Sequence, residues 1–138
     1  MEQHVLTVDD WWAMVSREQA TADAMVNHRA HCDAAWNASG RAVEFALKAV
    51  IMKRERWNCW PDRTLAEKYH THDIRMLFRL AGIDVRTTPP PPRHLLRTVM
   101  DWKREHDYRP GRMTRQVARS MVKAAFSEEG VVQWLKNQ

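Results

Sequence analysis

The chain has 138 residues, which suits one domain with one hydrophobic core, and we assign a single domain to residues 1–138. Hydrophobic residues make up 44% and charged residues 28%, which is close to ordinary globular usage and excludes a largely disordered chain. No apolar run approaches the roughly 18 residues that a membrane span needs, and the first residues lack the layout of a signal peptide. The two cysteines fit a reducing compartment, so we expect a cytoplasmic protein with Cys32 and Cys59 unpaired.

The net charge of +5 is unevenly distributed along the chain. Residues 1–85 hold 11 Lys and Arg against 12 Asp and Glu, whereas residues 86–123 hold 10 against 3. The second segment therefore carries +7 on an otherwise near-neutral body. This pattern fits a polyanion-binding surface, and it equally fits a solvated helix face.

The first two predicted helices form the longest periodic stretch. Thr7 and Asp10 have the spacing of a helix N-cap residue and an acidic residue in the first turn. This spacing predicts a first helix over residues 8–28. The polar residues 27–29 mark the turn, and a second helix is predicted over residues 31–56.

The second helix has two apolar stripes, which indicate contact with more than one neighbour at the centre of a bundle. Glu44 and Lys48 have the spacing of an ion pair on its polar side. Small residues in the first half would let another helix approach closely; they are Ala35, Ala38, Ser39, Gly40 and Ala42.

Loop residues 58–62 follow, because Pro61 would disrupt a helix interior, and Asp62 can cap a short turn through Tyr69. Thr71 is the predicted cap of a third helix over residues 72–81. Gly82 supplies its stop. The buried face of that helix would be Ile74, Leu77, Phe78 and Ala81.

Four prolines within residues 87–92 predict a stiff, extended spacer. A fourth helix is predicted over residues 93–107, a turn over 109–111, and a fifth helix from Thr114, which Gly130 interrupts. The fifth helix would bury Val117, Met121 and Ala124/Ala125. Since no useful stretch alternates as a strand would, the fold class is all-α, an antiparallel bundle of about five helices.

Two short motifs resemble signatures of the HEPN domain family. Residues 42–49 (AVEFALKA) resemble the family's A-x-E-x-x-L-K-A motif on its second helix, and Thr71-His72-Asp73-Ile74 with Leu77 resembles its T-H-D-L-x-x-L motif at the start of the third. Both stand in the family's order. With the helix pattern, the resemblance spans roughly residues 8–125 and implies a HEPN-like bundle that acts on or beside nucleic acid.

Many HEPN domains are metal-independent ribonucleases whose catalytic motif is an arginine, four to six residues, and then His-x-Tyr on a late helix. His106-Asp107-Tyr108 matches the end of that motif. The resemblance implies that His106 takes the proton of a ribose hydroxyl, that Tyr108 orients the site, and that Arg104 or Arg109 steadies the phosphate. Asp101 stands where the family has its arginine, so the spacing departs from the pattern.

The remaining basic residues of the late segment are candidate phosphate contacts. We assign this role to Arg97, Lys103, Arg112, Arg115 and Arg119, of which Arg112, Arg115 and Arg119, with Lys123, recur on one helix face. The resemblance further implies a homodimer, RNA as a ligand, and a separate antitoxin or nucleotidyltransferase as partner, as in toxin and defence systems.

Three functions stay open at this point. The chain is a HEPN-like ribonuclease, a non-catalytic HEPN-like module that binds RNA, a nucleotide or a protein, or a helical interaction protein with no nucleic-acid role. No zinc-ligand spacing and no phosphate-binding glycine loop occurs, so we expect neither a metal nor a cofactor. Arg63 and His70 repeat the Arg-then-His spacing before the third helix, which we interpret as chance.

Overall fold

The computed structural model describes residues 6–64, 66–83, 90–102 and 113–138. Within these ranges the chain is all-helical and has no strand, which confirms the predicted fold class. The elements are α1 (Val8–Met25), α2 (Cys32–Glu55), a single 3₁₀ turn (Glu67–Tyr69), α3 (Ile74–Ala81), α4 (Arg93–Met100), α5 (Arg115–Phe126) and α6 (Val131–Lys136). No helix in the described part combines the length and the hydrophobicity that a membrane span needs.

Helices α1 and α2 form an antiparallel hairpin. The predicted cap of α1 is present: the Thr7 hydroxyl accepts from the Asp10 backbone N–H at 3.2 Å, and the Asp10 carboxylate accepts from the Thr7 backbone N–H at 2.8 Å. The start of α1 lies against the middle of α2, and its end lies against the beginning of α2. Contacts of Trp11 with Phe45 and of Ala22 with Ala35 and Ala38 show this direction.

Helix α2 is the centre of the bundle. It contacts α1, α3, α5 and α6, and nearly every residue from Ala35 to Met52 is buried. This arrangement confirms the prediction from its two apolar stripes. Because both stripes and the residues between them are covered, even Glu44 and Lys48 are removed from solvent.

The small residues of α2 have two neighbours. Ala35 and Ala38 form a fully buried cluster with Ala22 of α1. Gly40 lies directly against the indole of Trp102, where a side chain would collide with the ring. The predicted close approach is therefore real, and its second partner is a tryptophan beyond α4.

Helix α3 begins two residues later than predicted. Its cap is Asp73, whose carboxylate accepts from the backbone N–H groups of Arg75 and Met76 at 2.9 and 3.3 Å. Thr71 instead accepts from the N–H of Asp73 at 3.1 Å, so it holds the capping residue and does not cap the helix itself. Gly82 ends α3 with a left-handed φ of 59°, as predicted.

Helix α4 is shorter than the predicted 93–107. It ends at Met100, because the Trp102 backbone N–H turns back to the Val99 carbonyl at 3.1 Å and the Trp102 side chain enters the core. Residues 103–107 lie outside the described ranges.

Helix α5 begins after Thr114, as predicted, and the Thr114 hydroxyl caps it by accepting from the Val117 N–H at 3.2 Å. The expected burial of Val117 is wrong: its side chain is about half exposed. Ala118, Met121 and Ala125 share the helix face that meets the core, and Val117 lies beside that face. Gly130 separates α5 from α6, in agreement with the sequence pattern.

Candidate nucleic-acid interface

The predicted catalytic residues are not among those that the structure describes. His106, Tyr108, Arg104 and Arg109 fall within residues 103–112, and so do the predicted phosphate contacts Lys103 and Arg112. Their roles therefore stay predictions. Arg97, Arg115 and Arg119 are described, and all three are exposed.

Asp101, which occupies the family's arginine position, is described and has a structural partner. Its carboxylate pairs with the guanidinium of Arg75 on α3 at 3.3 Å, and both side chains are largely exposed. Its backbone also caps the end of α4. The aspartate thus ties α3 to the end of α4, which accounts for an acidic residue at this point of a basic segment.

The two motifs that carry the family resemblance meet at one carboxylate. Oε2 of Glu44, on α2, accepts from Nζ of Lys48 at 3.3 Å and lies 3.0 Å from Nδ1 of His72. The Glu44 side chain is 1% exposed, whereas that of His72 is 58% exposed. The conspicuous charged residues of these motifs therefore join the start of α3 to the core helix. This junction has a structural role.

Lys48 is buried because aromatic rings enclose it. Its ammonium lies 5.3 Å from the ring centre of Trp11 and 5.6 Å from that of Trp60, within the range of cation–π attraction. Sequence reasoning assigned Glu44 and Lys48 to the polar side of α2 and missed their burial. The sequence did contain a signal of this burial, because all the other residues of the motif over 42–49 are apolar.

The loop tryptophans Trp57 and Trp60 are half-buried and pack against the core. Trp60 makes edge-to-face contacts with Trp11, Trp57 and Tyr69, at ring-centre distances of 5.4–6.4 Å. Nε2 of His70 lies 2.8 Å from the carbonyl oxygen of Pro61. These contacts assign His70 to the loop packing beneath the 3₁₀ turn.

The same loop contains a carboxyl group, that of Asp62, whose pKa departs from its ordinary value. The Thr64 backbone N–H and hydroxyl both donate to Asp62 at 3.0 Å, and these hydrogen bonds lower the pKa of Asp62 below its ordinary value. Because these hydrogen bonds lower the pKa of Asp62, their contribution to the stability of the turn is complete above the ordinary carboxyl pKa. It is lost as the pH falls through the lowered pKa.

The outer face of α5 presents a basic stripe. Arg115, Arg119 and Lys123 are spaced four residues apart, so they follow one another along the same side of the helix, and all three are exposed. No carboxylate lies within ion-pair distance of any of them among the described residues. The positive end of the helix dipole at Thr114 adds to this field.

The turn between α1 and α2 extends the stripe at the amino end of α5. Arg119 donates from Nε to the Asn27 side-chain oxygen at 3.0 Å, and the thiol of Cys32 contacts the Met113 carbonyl at 3.4 Å. These contacts bring His28, Arg29 and His31, all exposed, to the same end of the bundle. We call this surface, formed by His28, Arg29, His31, Arg115, Arg119 and Lys123, the α5 face.

Sequence reasoning found only half of the α5 face. It grouped the arginines of α5 from their spacing, but it missed the contribution of the turn, since residues 28–31 are some 85 positions away in sequence and only the hairpin's packing brings them there. Arg97, another predicted phosphate contact, is exposed on α4 and is not part of the α5 face.

No metal site is found in the described part of the chain. Its residues contain no group of three or more histidine, cysteine or acidic side chains arranged to hold a metal. Cys32 is buried and Cys59 exposed, and the two are not joined.

Comparisons with family models, with curated proteins and with solved structures find no match for this chain.

Proposed function

We propose that this chain is a HEPN-like RNA-binding protein that contacts RNA phosphates through the α5 face. The observation that carries the proposal is the stripe of Arg115, Arg119 and Lys123, which faces solvent without acidic partners among the described residues. Exposed cations that are not needed for packing are free to exchange their counterions for phosphates.

The rest of the surface supports the same choice of ligand. The α1–α2 turn adds Arg29 and two histidines, so the positive surface continues from a helix onto a loop. Contacts of this kind give affinity for a nucleic-acid backbone with little sequence preference. The family resemblance of the two motifs at the Glu44–His72 junction supports RNA over other polyanions.

Binding of a labelled single-stranded RNA across a salt series tests the proposal. Arg115→Gln combined with Arg119→Gln removes two phosphate contacts, and we expect the slope of log affinity against log salt to become shallower by about 1–2. The matched control is Arg17→Gln combined with Arg63→Gln, two exposed arginines on other surfaces, for which the slope stays as in the wild type. Equal slopes for both double variants would contradict the proposal.

The second candidate function is metal-independent cleavage of the bound RNA. It rests on His106-Asp107-Tyr108 within the +7 segment, with His106 as general base, Tyr108 orienting the site and Arg104 or Arg109 neutralising the phosphate. Two copies of the chain would pair to form the cleft, which predicts a mass in solution of about twice 16.3 kDa. An antitoxin or nucleotidyltransferase partner belongs to this version of the proposal.

Incubation of labelled total RNA with the protein in a metal chelator tests cleavage. We expect the wild type and His94→Ala, which changes an exposed histidine of α4, to cut, and His106→Ala to leave the strands intact. Intact RNA with the wild type, or equal cutting by His106→Ala, would remove the enzymatic version and leave the binding proposal in place.

A further inference from the structure

A groove lies between α3 and α4, and none of its described lining residues belongs to the α5 face. Phe78, Leu96, Met100 and Trp134 contribute the apolar part of its lining, and Arg75 and Arg79 contribute the charged part. Its volume is about 450 Å³, which lies within the range of small-molecule sites.

Helical periodicity explains why these side chains share the groove. Ile74, Leu77 and Ala81 are the buried residues of α3, and Phe78 lies at the edge of that face, half-buried against the core. Arg75 and Arg79 lie on the exposed side of the helix and line the groove beside Phe78. On α4, Leu95 and Val99 are buried in the same way. Leu96 and Met100 lie one turn apart on α4, and both side chains line the groove.

The lining combines a flat aromatic surface with positive charge. The rings of Phe78 and Trp134 stack at 6.2 Å with an angle of 24°, and the Trp134 indole N–H, which is buried, has no hydrogen-bond partner within the described structure. Arg75 forms an ion pair with Asp101, whereas Arg79 makes no ion pair with a described residue. None of the described residues that line the groove carries a carboxylate.

We propose that this groove binds a small organic anion that has an aromatic or similarly flat apolar body. The body would lie against Phe78, Leu96 and Trp134, and Arg79 would neutralise the anionic group. Charge complementarity decides the class, because an uncharged ligand leaves Arg79 unused and a cation meets two arginines. This inference is independent of RNA binding by the α5 face.

Two fluorescent probes of similar shape test the inference. 8-Anilinonaphthalene-1-sulfonate carries one negative charge, and N-phenyl-1-naphthylamine carries none. We expect the wild type to bind the sulfonate at one site, and Arg79→Ala to weaken that binding by about fivefold, the effect of removing one exposed charge-assisted interaction. Binding of the neutral probe should be the same in the wild type and in Arg79→Ala.

The matched control is Arg63→Ala, which removes an equal charge from an exposed loop. It should leave the affinity for the sulfonate unchanged. The site is checked by the indole N–H resonances: the one that disappears in Trp134→Phe should shift most on addition of the sulfonate. No binding, equal weakening by Arg63→Ala, or a largest shift at another tryptophan would overturn the inference.

Discussion

The Glu44–His72 junction and the α5 face both consist of charged residues that stand out in the sequence, yet they differ in what surrounds them. At the junction, the buried Glu44 carboxylate contacts both Lys48 and His72, and aromatic rings cover the Lys48 ammonium. On the α5 face, Arg115, Arg119 and Lys123 point to solvent without described acidic partners. Charges that satisfy one another hold the fold together, while charges left to solvent can meet a ligand.

The comparison predicts that substitutions in the two regions affect different properties. Those at the junction should change stability, since a buried ion pair that loses a partner leaves an uncompensated charge in the interior. Those on the α5 face should change RNA affinity with little effect on stability. Three variants, from the largest expected effect on stability to the smallest, test this division.

Glu44→Ala should have the largest effect. It strips the acceptor from the buried Lys48 and from His72, and we expect the free energy of unfolding to fall by about 3–5 kcal/mol, measured by urea denaturation. If this variant does not fold, Glu44→Gln keeps the volume while removing the charge, and it should show a smaller loss in the same direction.

The control for Glu44 is Glu18→Ala. Glu18 also forms an ion pair between helices, with Arg41 of α2 at 3.4 Å, but that pair is partly solvated. We expect a loss of about 0–1 kcal/mol. Equal losses for Glu18→Ala and Glu44→Ala would mean that burial does not distinguish the junction.

His72→Ala should have an intermediate effect. It removes one hydrogen bond to the buried Glu44 carboxylate while most of the imidazole is already in solvent, so we expect a loss of about 1 kcal/mol in thermal or urea unfolding. His94→Ala is the matched control on α4 and should be neutral. A neutral His72→Ala would show that the contact does not contribute to joining α3 to α2.

Arg115→Gln combined with Arg119→Gln should have the smallest effect on stability. Both side chains are exposed, and the substitution removes the hydrogen bond that Arg119 donates to Asn27, so the free energy of unfolding should change by no more than about 0.5 kcal/mol. The same protein should bind RNA more weakly. A large loss of stability would place these arginines in the fold and not in a binding surface.

Local sequence signals predicted the helix boundaries well where those boundaries depend on interactions between residues close in sequence. The cap at Thr7, the glycine stop at Gly82 and the start of α5 at Thr114 each depend on a few neighbouring residues, and all three are present. The predicted end of α4 was wrong because Trp102 turns into the core and packs against Gly40. These two residues are about 60 positions apart in the sequence, so no local pattern reveals their contact.

The candidate site was predicted less completely for the same reason. The spacing of Arg115 and Arg119 follows from the helix, but the addition of His28 and Arg29 depends on how the α1–α2 hairpin lies against α5. Similarly, the spacing of Glu44 and Lys48 predicts their pairing, whereas their burial and the arrival of His72 depend on the packing of α3.

Hydrogen exchange with and without saturating RNA tests the central claim most directly, because it locates the binding surface on the whole protein. We predict that RNA slows amide exchange in residues 26–31 and 113–123, which carry the α5 face, and leaves exchange in α3 unchanged. Slowing confined to α3 and the Glu44–His72 junction, with none in α5, would contradict the account.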